Sequence, residues 1–330
     1  MKRQHLPGKE DGFLPKPPLA APKRLWYNDT SIGKGSDATV KRRLRLLALM
    51  LLWTLLAPCA HALAFEPLPY EMAPAPYAPH QECFLPEDAG YHDDSLDIRI
   101  ETFREYDTTI MAVYVTLTDP SQLRTGSASP NQPKSQLTST TDRMAKHYQA
   151  VLAINGDYFS FHREGVVVRN GVTLREQYNI NRDTLIIDEN GDFTIITPTT
   201  EEAYQAFDGT VIHAFCFGPG LVVDGEQLTN VDGIVLDLGK NRQTQRIAIG
   251  QLGPLSYVIL ATEGPENTGS VGLTLLEMAE LCKQMGCINA YNLDGGSSSS
   301  VALNYRKINA LSSRKNRPVG DIIYFCTLVP

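Results

Sequence analysis

The sequence predicts an α+β fold, a single domain with a mixed, largely antiparallel β-sheet and a few packed helices. Three observations carry this expectation. Runs of apolar and β-branched residues recur along the chain from about Leu96 onward. Several of them flank Asn-Gly or Asp-Gly pairs, the favoured two-residue turns of antiparallel hairpins. Only two stretches show a helical period.

In chain order, "LDIRIETF" places Leu96, Ile98 and Ile100 on one face, as in a half-buried strand. "TIMAVYVTL" reads as a second strand, and "DPSQLRTG" turns the chain. Thr141 to Tyr148 reads as a short helix that leads into the strand "AVLAI". Hairpins are expected at Asn170-Gly171, Asn190-Gly191 and Asp224-Gly225. "RIAIG" and "LSYVILATEG" read as buried strands. In "TLLEMAELCKQMG" the period changes: Leu275, Met278, Ala279, Cys282 and Met285 share one helical face. Thr274 and Glu277 form a capping-box pattern, and Gly286 stands at the C-terminal cap position. "CINAYNL" and "DIIYFCTLV" are further strands. The strand–helix–strand from Tyr257 to Leu293 fits a parallel crossover.

Charge divides the chain. Residues 1–64 hold 11 Lys/Arg and 4 Asp/Glu, whereas the remainder holds 19 and 33. An acidic body argues against nonspecific nucleic-acid binding. Residues 1–40 mix Pro, Gly and charge without periodicity and read as a disordered basic leader. Residues 41–64 carry Lys41, Arg42, Arg43 and Arg45, then an apolar run from Leu46 to Leu56, then small residues ending in "ALA". This is the layout of a secretory signal peptide cleaved after Ala64, or of a segment retained as an N-terminal membrane anchor. Either way the acidic body is expected on the extracellular side or at the cell surface. Residues 65–95 open with five prolines within Phe65–His80 and read as an extended tether, with the domain spanning 96–330. The six cysteines fall at 59, 83, 216, 282, 287 and 326, and cleavage after Ala64 leaves an odd five, which is no disulfide framework.

Two strand ends stand out chemically. "NAYNLDGGSSSSVAL" ends a strand at Asn292-Leu293-Asp294 and continues through Gly295, Gly296 and Ser297 into three more serines. Glycines there permit close approach of a ligand, and successive amides suit an anion. Taken locally, a hairpin with an Asp-Gly-Gly turn is equally consistent. "AINGDYFSFHREG" repeats the design with Asn155, Gly156 and Asp157. Two carboxylates converging at strand ends are what glycosidic cleavage commonly uses. His162 follows closely, more in keeping with a solvated loop histidine than with an acid–base group. Arg246 and Arg317 offer planar forks for phosphate, and Glu263 also ends a strand at a glycine. The chain has no G-x-S-x-G elbow, no H-E-x-x-H and no P-loop. No ligand spacing specifies Ca²⁺ at these oxygens, so no cofactor is expected.

The stretches "AINGDYF", "FGPGLVVDGE", "RIAIG", "GLTLLEMAELCKQMGCINAYNLDGGSSS" and "RPVGD" occur in an order and spacing that resembles the phosphodiester glycosidase family, over roughly Tyr148 to Phe325. Departures from that family's usual pattern include Gly156-Asp157 where Gly-Gly is common, Ile247 in place of Thr, Ser297 where a third glycine is usual, and Glu263 for Asp. The resemblance implies hydrolysis of a sugar-1-phosphodiester by C1–O cleavage, giving free sugar and a phosphomonoester. Many bacterial members are exported and exopolysaccharide-related, so a cell-surface or extracellular glycan is the implied partner. Carried onto this chain, the expected catalytic residues are Asp294 first, then Glu263 and Asp157. Asn155, Arg246, Asn292, Gly295, Gly296, Ser297 and Arg317 are expected to bind substrate. Two other readings stay open: a phosphodiesterase that cleaves P–O, and a noncatalytic cell-surface glycan-binding module.

Overall fold

The computed structural model describes residues 65–230, 242–265, 269–309 and 316–330. The leader and the signal or anchor segment predicted over residues 1–64 lie outside them. Among the described residues the strands form three sheets. The largest has eight strands in the order β1 (Gly90–His92), β2 (Leu96–Glu105), β3 (Thr108–Leu117), β14 (Ser256–Thr262), β13 (Ile247–Gly253), β15 (Asn289–Asn292), β11 (Gly220–Val223) and β12 (Glu226–Gln227). A five-stranded sheet runs β7 (Val172–Arg175), β6 (Val167–Arg169), β10 (Val211–Phe215), β8 (Thr184–Asp188) and β9 (Phe193–Ile196). The third runs β17 (Arg306–Lys307), β16 (Val301–Leu303), β5 (Leu152–Asn155), β18 (Asp321–Phe325) and β4 (Leu123–Ser127). The strand pairs are antiparallel, in keeping with the hairpin-rich sequence.

Local sequence explains the hairpins. Asn170 and Gly171 both take positive φ between β6 and β7, as do Asp224 and Gly225 between β11 and β12. Between β8 and β9 only Gly191 does so, and the Asp188 carboxylate accepts the Asn190 and Asp192 amides around a longer turn. The crossover from β14 to β15 leaves those strands parallel in direction, but β13 lies between them and pairs antiparallel with both.

Three α-helices are present among the described residues: α1 (Thr141–His147), α2 (Glu201–Gln205) and α3 (Leu275–Gln284). The Thr274 hydroxyl accepts the Glu277 amide at 3.2 Å, and the Glu277 carboxylate accepts the Thr274 amide at 2.7 Å. Leu275, Met278, Ala279 and Cys282 of α3 pack with Ala248, Val258 and Leu260 on one face of the large sheet. The other face of that sheet meets both smaller sheets in the main core, where Ile98, Val113, Ile249 and Tyr291 join Leu152, Ile154, Leu185, Phe215 and Ile323. Helix α1 covers the third sheet through Met144 and Ala145.

The Pro-rich stretch is extended but lies against the domain. The Arg124 guanidinium donates to the Pro69 carbonyl at 2.8 Å, the Ala75 amide donates to the Tyr148 carbonyl at 3.1 Å, and Ala75 is buried. Prolines leave carbonyls without competing amides, which suits them to this docking. Strand β1 also lies upstream of Leu96. Among the described residues no helix is long and apolar enough to cross a membrane, and the described cysteines are free thiols.

Candidate active site

The site forms where the chain passes from the large sheet to the third sheet. Strand β15 ends at Asn292, and residues 293–300 lead into β16. Strand β16 pairs with β5, and β5 pairs with β18. Antiparallel pairing therefore sets the end of β5 beside the starts of β16 and β18. Asn155, Asp294, Ser297–Ser300 and Asp321 are gathered by this register.

Asn155 staples the loop. Its amide nitrogen donates to the Asp294 carbonyl at 2.7 Å and the Gly156 carbonyl at 3.1 Å, and its oxygen accepts the Ser300 amide at 3.0 Å. Both amide hydrogens of this fully buried side chain are thus engaged within the loop. Asn292 similarly donates to the Gly218 carbonyl at 2.8 Å. Gly295 is needed for close approach: a Cβ there would lie 2.9 Å from the Gln245 carbonyl oxygen. The Gly296 amide donates to that same oxygen at 2.8 Å, so it is not one of the anion-binding amides the sequence suggested. The Ser298 and Ser299 amides close a short 3₁₀ turn onto Gly295 and Gly296.

Asp294 sits half-buried in this loop. Burial pushes its carboxyl up to about 6; Ser298 and the Arg317 charge act in the opposite direction, and Asp157 adds to the rise. The exposed Arg317 guanidinium donates to the Ser297 hydroxyl at 3.1 Å. An acid poised near neutrality beside an exposed arginine can exchange protons while the cation meets a phosphate.

Behind the loop lies a buried charge cluster. Asp157 accepts from Arg169 Nη2 at 2.6 Å, the Phe159 amide at 3.2 Å and the Cys216 amide at 2.9 Å. Arg169 Nε and Nη2 donate to Asp321 Oδ2 at 3.1 and 3.0 Å, and Nη1 donates to the Val168 and Ala214 carbonyls. Its guanidinium lies between the Phe159 and Phe215 rings, 4.9 and 4.1 Å from their centroids. All three charged side chains are buried. One cation cannot neutralise two carboxylates. Burial opposes ionisation of Asp157, but Arg169, the Cys216 amide and His162 hold it below the usual carboxylate range. Burial pushes Asp321 up to about 7, against Arg169 and with help from Asp157 and Asp294. Asp321 is therefore the member that keeps a proton, and its Oδ1 has no hydrogen-bond partner. Both Asp157 oxygens accept hydrogen bonds inside this cluster, which ties it to the strand end.

Gly156 is confined by this cluster. A Cβ at Gly156 would fall 2.4 Å from the Asp321 carboxylate. Gly156→Ala is expected to cost about 1–3 kcal/mol in a urea titration, the usual cost of overpacking.

Glu263 directly follows β14, and Arg246 directly precedes β13, the strand beside β15. Glu263 accepts from the Ser270 hydroxyl at 2.7 Å and lines a separate cavity of about 300 Å³ with Thr109, Thr262 and Asn309. Arg246 Nε donates to the Leu273 carbonyl at 2.7 Å beside the start of α3, and burial lowers its guanidinium to about 10. Neither side chain forms a hydrogen bond with Asp294. His162 has Nε2 3.9 Å from Cys216 Sγ, and burial lowers its imidazole. Sequence reasoning missed Arg169 and Asp321. The signal for Arg169 was a lone charge directly after Val166–Val168; Asp321 ended the quoted "RPVGD". Among the described residues no three His, Cys, Asp or Glu side chains are grouped as metal ligands.

The phosphodiester glycosidase family matches residues 148–326, which hold every residue of this site. A curated relative, the SPbeta prophage-derived uncharacterized protein YomE of Bacillus subtilis (strain 168), is 30% identical over 202 residues, or 58% of this chain. The chain spans only 31% of that relative's length. Among solved structures, the catalytic domain of zebrafish N-acetylglucosamine-1-phosphodiester alpha-N-acetylglucosaminidase, auto-inhibited by its pro-peptide, superposes with a TM-score of 0.57 at 17% identity. That match covers 70% of this chain and 83% of the zebrafish one. A hypothetical protein from Synechocystis gives a TM-score of 0.50 at 17% identity, covering 70% and 62%. At such identity the two structures speak for the fold alone. With a family match over more than half its length and the strand-end loops in place, the chain belongs to the phosphodiester glycosidase family.

Proposed function

We propose that this glycosidase-type protein hydrolyses a sugar-1-phosphodiester at the C1–O bond, releasing free sugar and a phosphomonoester. The observation that carries the reading is Asp294: a half-buried carboxyl with its acidity shifted to about 6, on a loop held by Asn155 and flanked by Arg317. A phosphate leaving group is a weak base and needs little protonation, so stabilising its charge matters more than a general acid. Arg317 and the Ser297 hydroxyl are the groups for that task. Ionised Asp294 then serves the sugar side, as base toward water or as nucleophile toward C1, through an oxocarbenium-like transition state. Asp157, Arg169 and Asp321 keep the strand ends fixed, and Arg246 holds the Leu273 carbonyl beside α3. Glu263 is not assigned a catalytic role.

The expected setting is a cell-surface or extracellular glycan, reached through the signal or anchor segment read in residues 41–64. A panel of sugar-1-phosphodiesters with both products identified tests the reaction. Free sugar plus a phosphomonoester is the expected pair. Binding of such diesters without turnover would replace the reading with a glycan-binding module. The ionised form of Asp294 grows as pH rises through about 6, so kcat/KM is expected to climb across that range and level off above it. A profile that falls above pH 6 would assign Asp294 the acid's role instead.

A further inference from the structure

Directly after Asp157 the chain builds a second cavity, of about 370 Å³. Lys134, Ser160, His162, Arg163 and Arg175 line it, and no Asp or Glu does. This is unexpected in a body holding 33 acidic residues against 19 Lys/Arg. Lys134 and Arg163 are exposed and form no hydrogen bond or ion pair among the described residues. Arg175 is spent structurally on backbone carbonyls, donating to Gly165 at 3.0 Å, Phe159 at 3.0 Å and His162 at 2.6 Å. It forms no ion pair with a carboxylate among the described residues, so it fixes the loop 159–165 and adds its charge to the cavity lining. A concave site lined by one sign of charge concentrates counter-ions. Its volume falls within the usual range of small-ligand sites.

The cavity backs onto the catalytic site. A Cβ at Gly320, next to Asp321, would lie 2.7 Å from the Ser160 hydroxyl, and that hydroxyl is buried without a partner. Tyr158 and Phe161 stack at 4.7 Å between ring centroids, 13° from parallel, and Phe161 would lie 3.8 Å from the same Gly320 Cβ. Flat aromatic faces suit the apolar face of a sugar ring.

We propose that this pocket binds a second phosphate of the substrate, so that the protein acts on a repeating sugar-phosphate chain and not on an isolated diester. The inference rests on the function proposed above and adds the substrate class. Lys134 and Arg163 contact a phosphate carried by the leaving group of the bond cleaved at the Asp294 loop.

The test compares the wild type with the double variant Lys134→Ala/Arg163→Ala. Two diesters of the best sugar from the panel are used, one with a methyl group and one with a phosphoglyceryl group on the scissile phosphate. The wild type is expected to prefer the phosphoglyceryl diester about tenfold through a lower KM, the size expected for two solvent-exposed ion contacts. The variant is expected to lose that preference while turning over the methyl diester unchanged. Equal KM values for the two diesters in the wild type, or an unchanged preference in the variant, would overturn the inference. If neither diester is cleaved, the reaction assignment fails, and calorimetric titration with a glycerol phosphate trimer decides the pocket separately. Binding weakened about tenfold in the variant supports the pocket; equal binding, or none in the wild type, refutes it.

Discussion

Asp294→Asn is expected to lower kcat by about 10³-fold, within the usual range for a positioned proton-transfer group. The substitution keeps shape and hydrogen-bonding capacity, so the loop stapled by Asn155 should survive it. Stability makes the result interpretable. Burial raises the Asp294 carboxyl in the folded protein, so at pH 7 its ionised form is held less comfortably than in the unfolded chain. Removing that group relieves the cost, and the melting temperature at pH 7 is expected to hold or rise. Activity lost while stability is kept points to chemistry. Full activity in Asp294→Asn would remove Asp294 from the mechanism.

Arg169→Met is expected to destabilise the fold by about 3–5 kcal/mol, the range found when one partner of a buried ion pair is removed. The substitution leaves Asp157 buried with only the Phe159 and Cys216 amides. Denaturant titration measures the loss, and adding Asp157→Asn is expected to recover part of it, because only Asp321, the carboxyl that holds a proton, then remains of the buried pair. The same cluster sets a pH dependence. The folded state holds a proton on Asp321 up to about pH 7, whereas the unfolded chain releases it near 3.8. The Asp321 contribution is fully present below pH 4 and declines as pH rises to about 7. Asp157 acts in the opposite sense, and its contribution is lost as pH falls through its lowered folded value. Melting temperatures from pH 4 to 7 should therefore fall less steeply in Asp321→Asn than in the wild type. Identical slopes would remove Asp321 as the proton-holding member.

Much of the fold was legible because its signals are local. Asn170-Gly171 and Asp224-Gly225 need only their own backbone preferences to make a turn. The α3 cap joins Thr274 to Glu277 within one turn, and its apolar face repeats with the helical period. The residues that complete the site are set by long-range register. Arg169 reaches Asp321 across 152 positions, and Asn155 reaches Asp294 across 139. Nothing near Arg169 in sequence announces those partners. Glu263 and Asp294 look alike locally, since each carboxylate follows a strand and precedes a glycine. The sheet separates them because β13 lies between β14 and β15, setting the two strands roughly 9–10 Å apart. Asn155 and Gly296 offered polar groups that a sequence reading assigns to substrate. Folding commits those groups to the loop itself. Burial decides which polar groups remain for a ligand, and burial is a property of the packed sheets.

Hydrolysis of the preferred sugar-1-phosphodiester in ¹⁸O-labelled water tests the account most directly, with both products analysed by mass spectrometry. Attack at C1 beside Asp294 places the label in the hydroxyl of the released sugar and none in the phosphomonoester. Label found in the phosphate would mean P–O cleavage and would contradict the account.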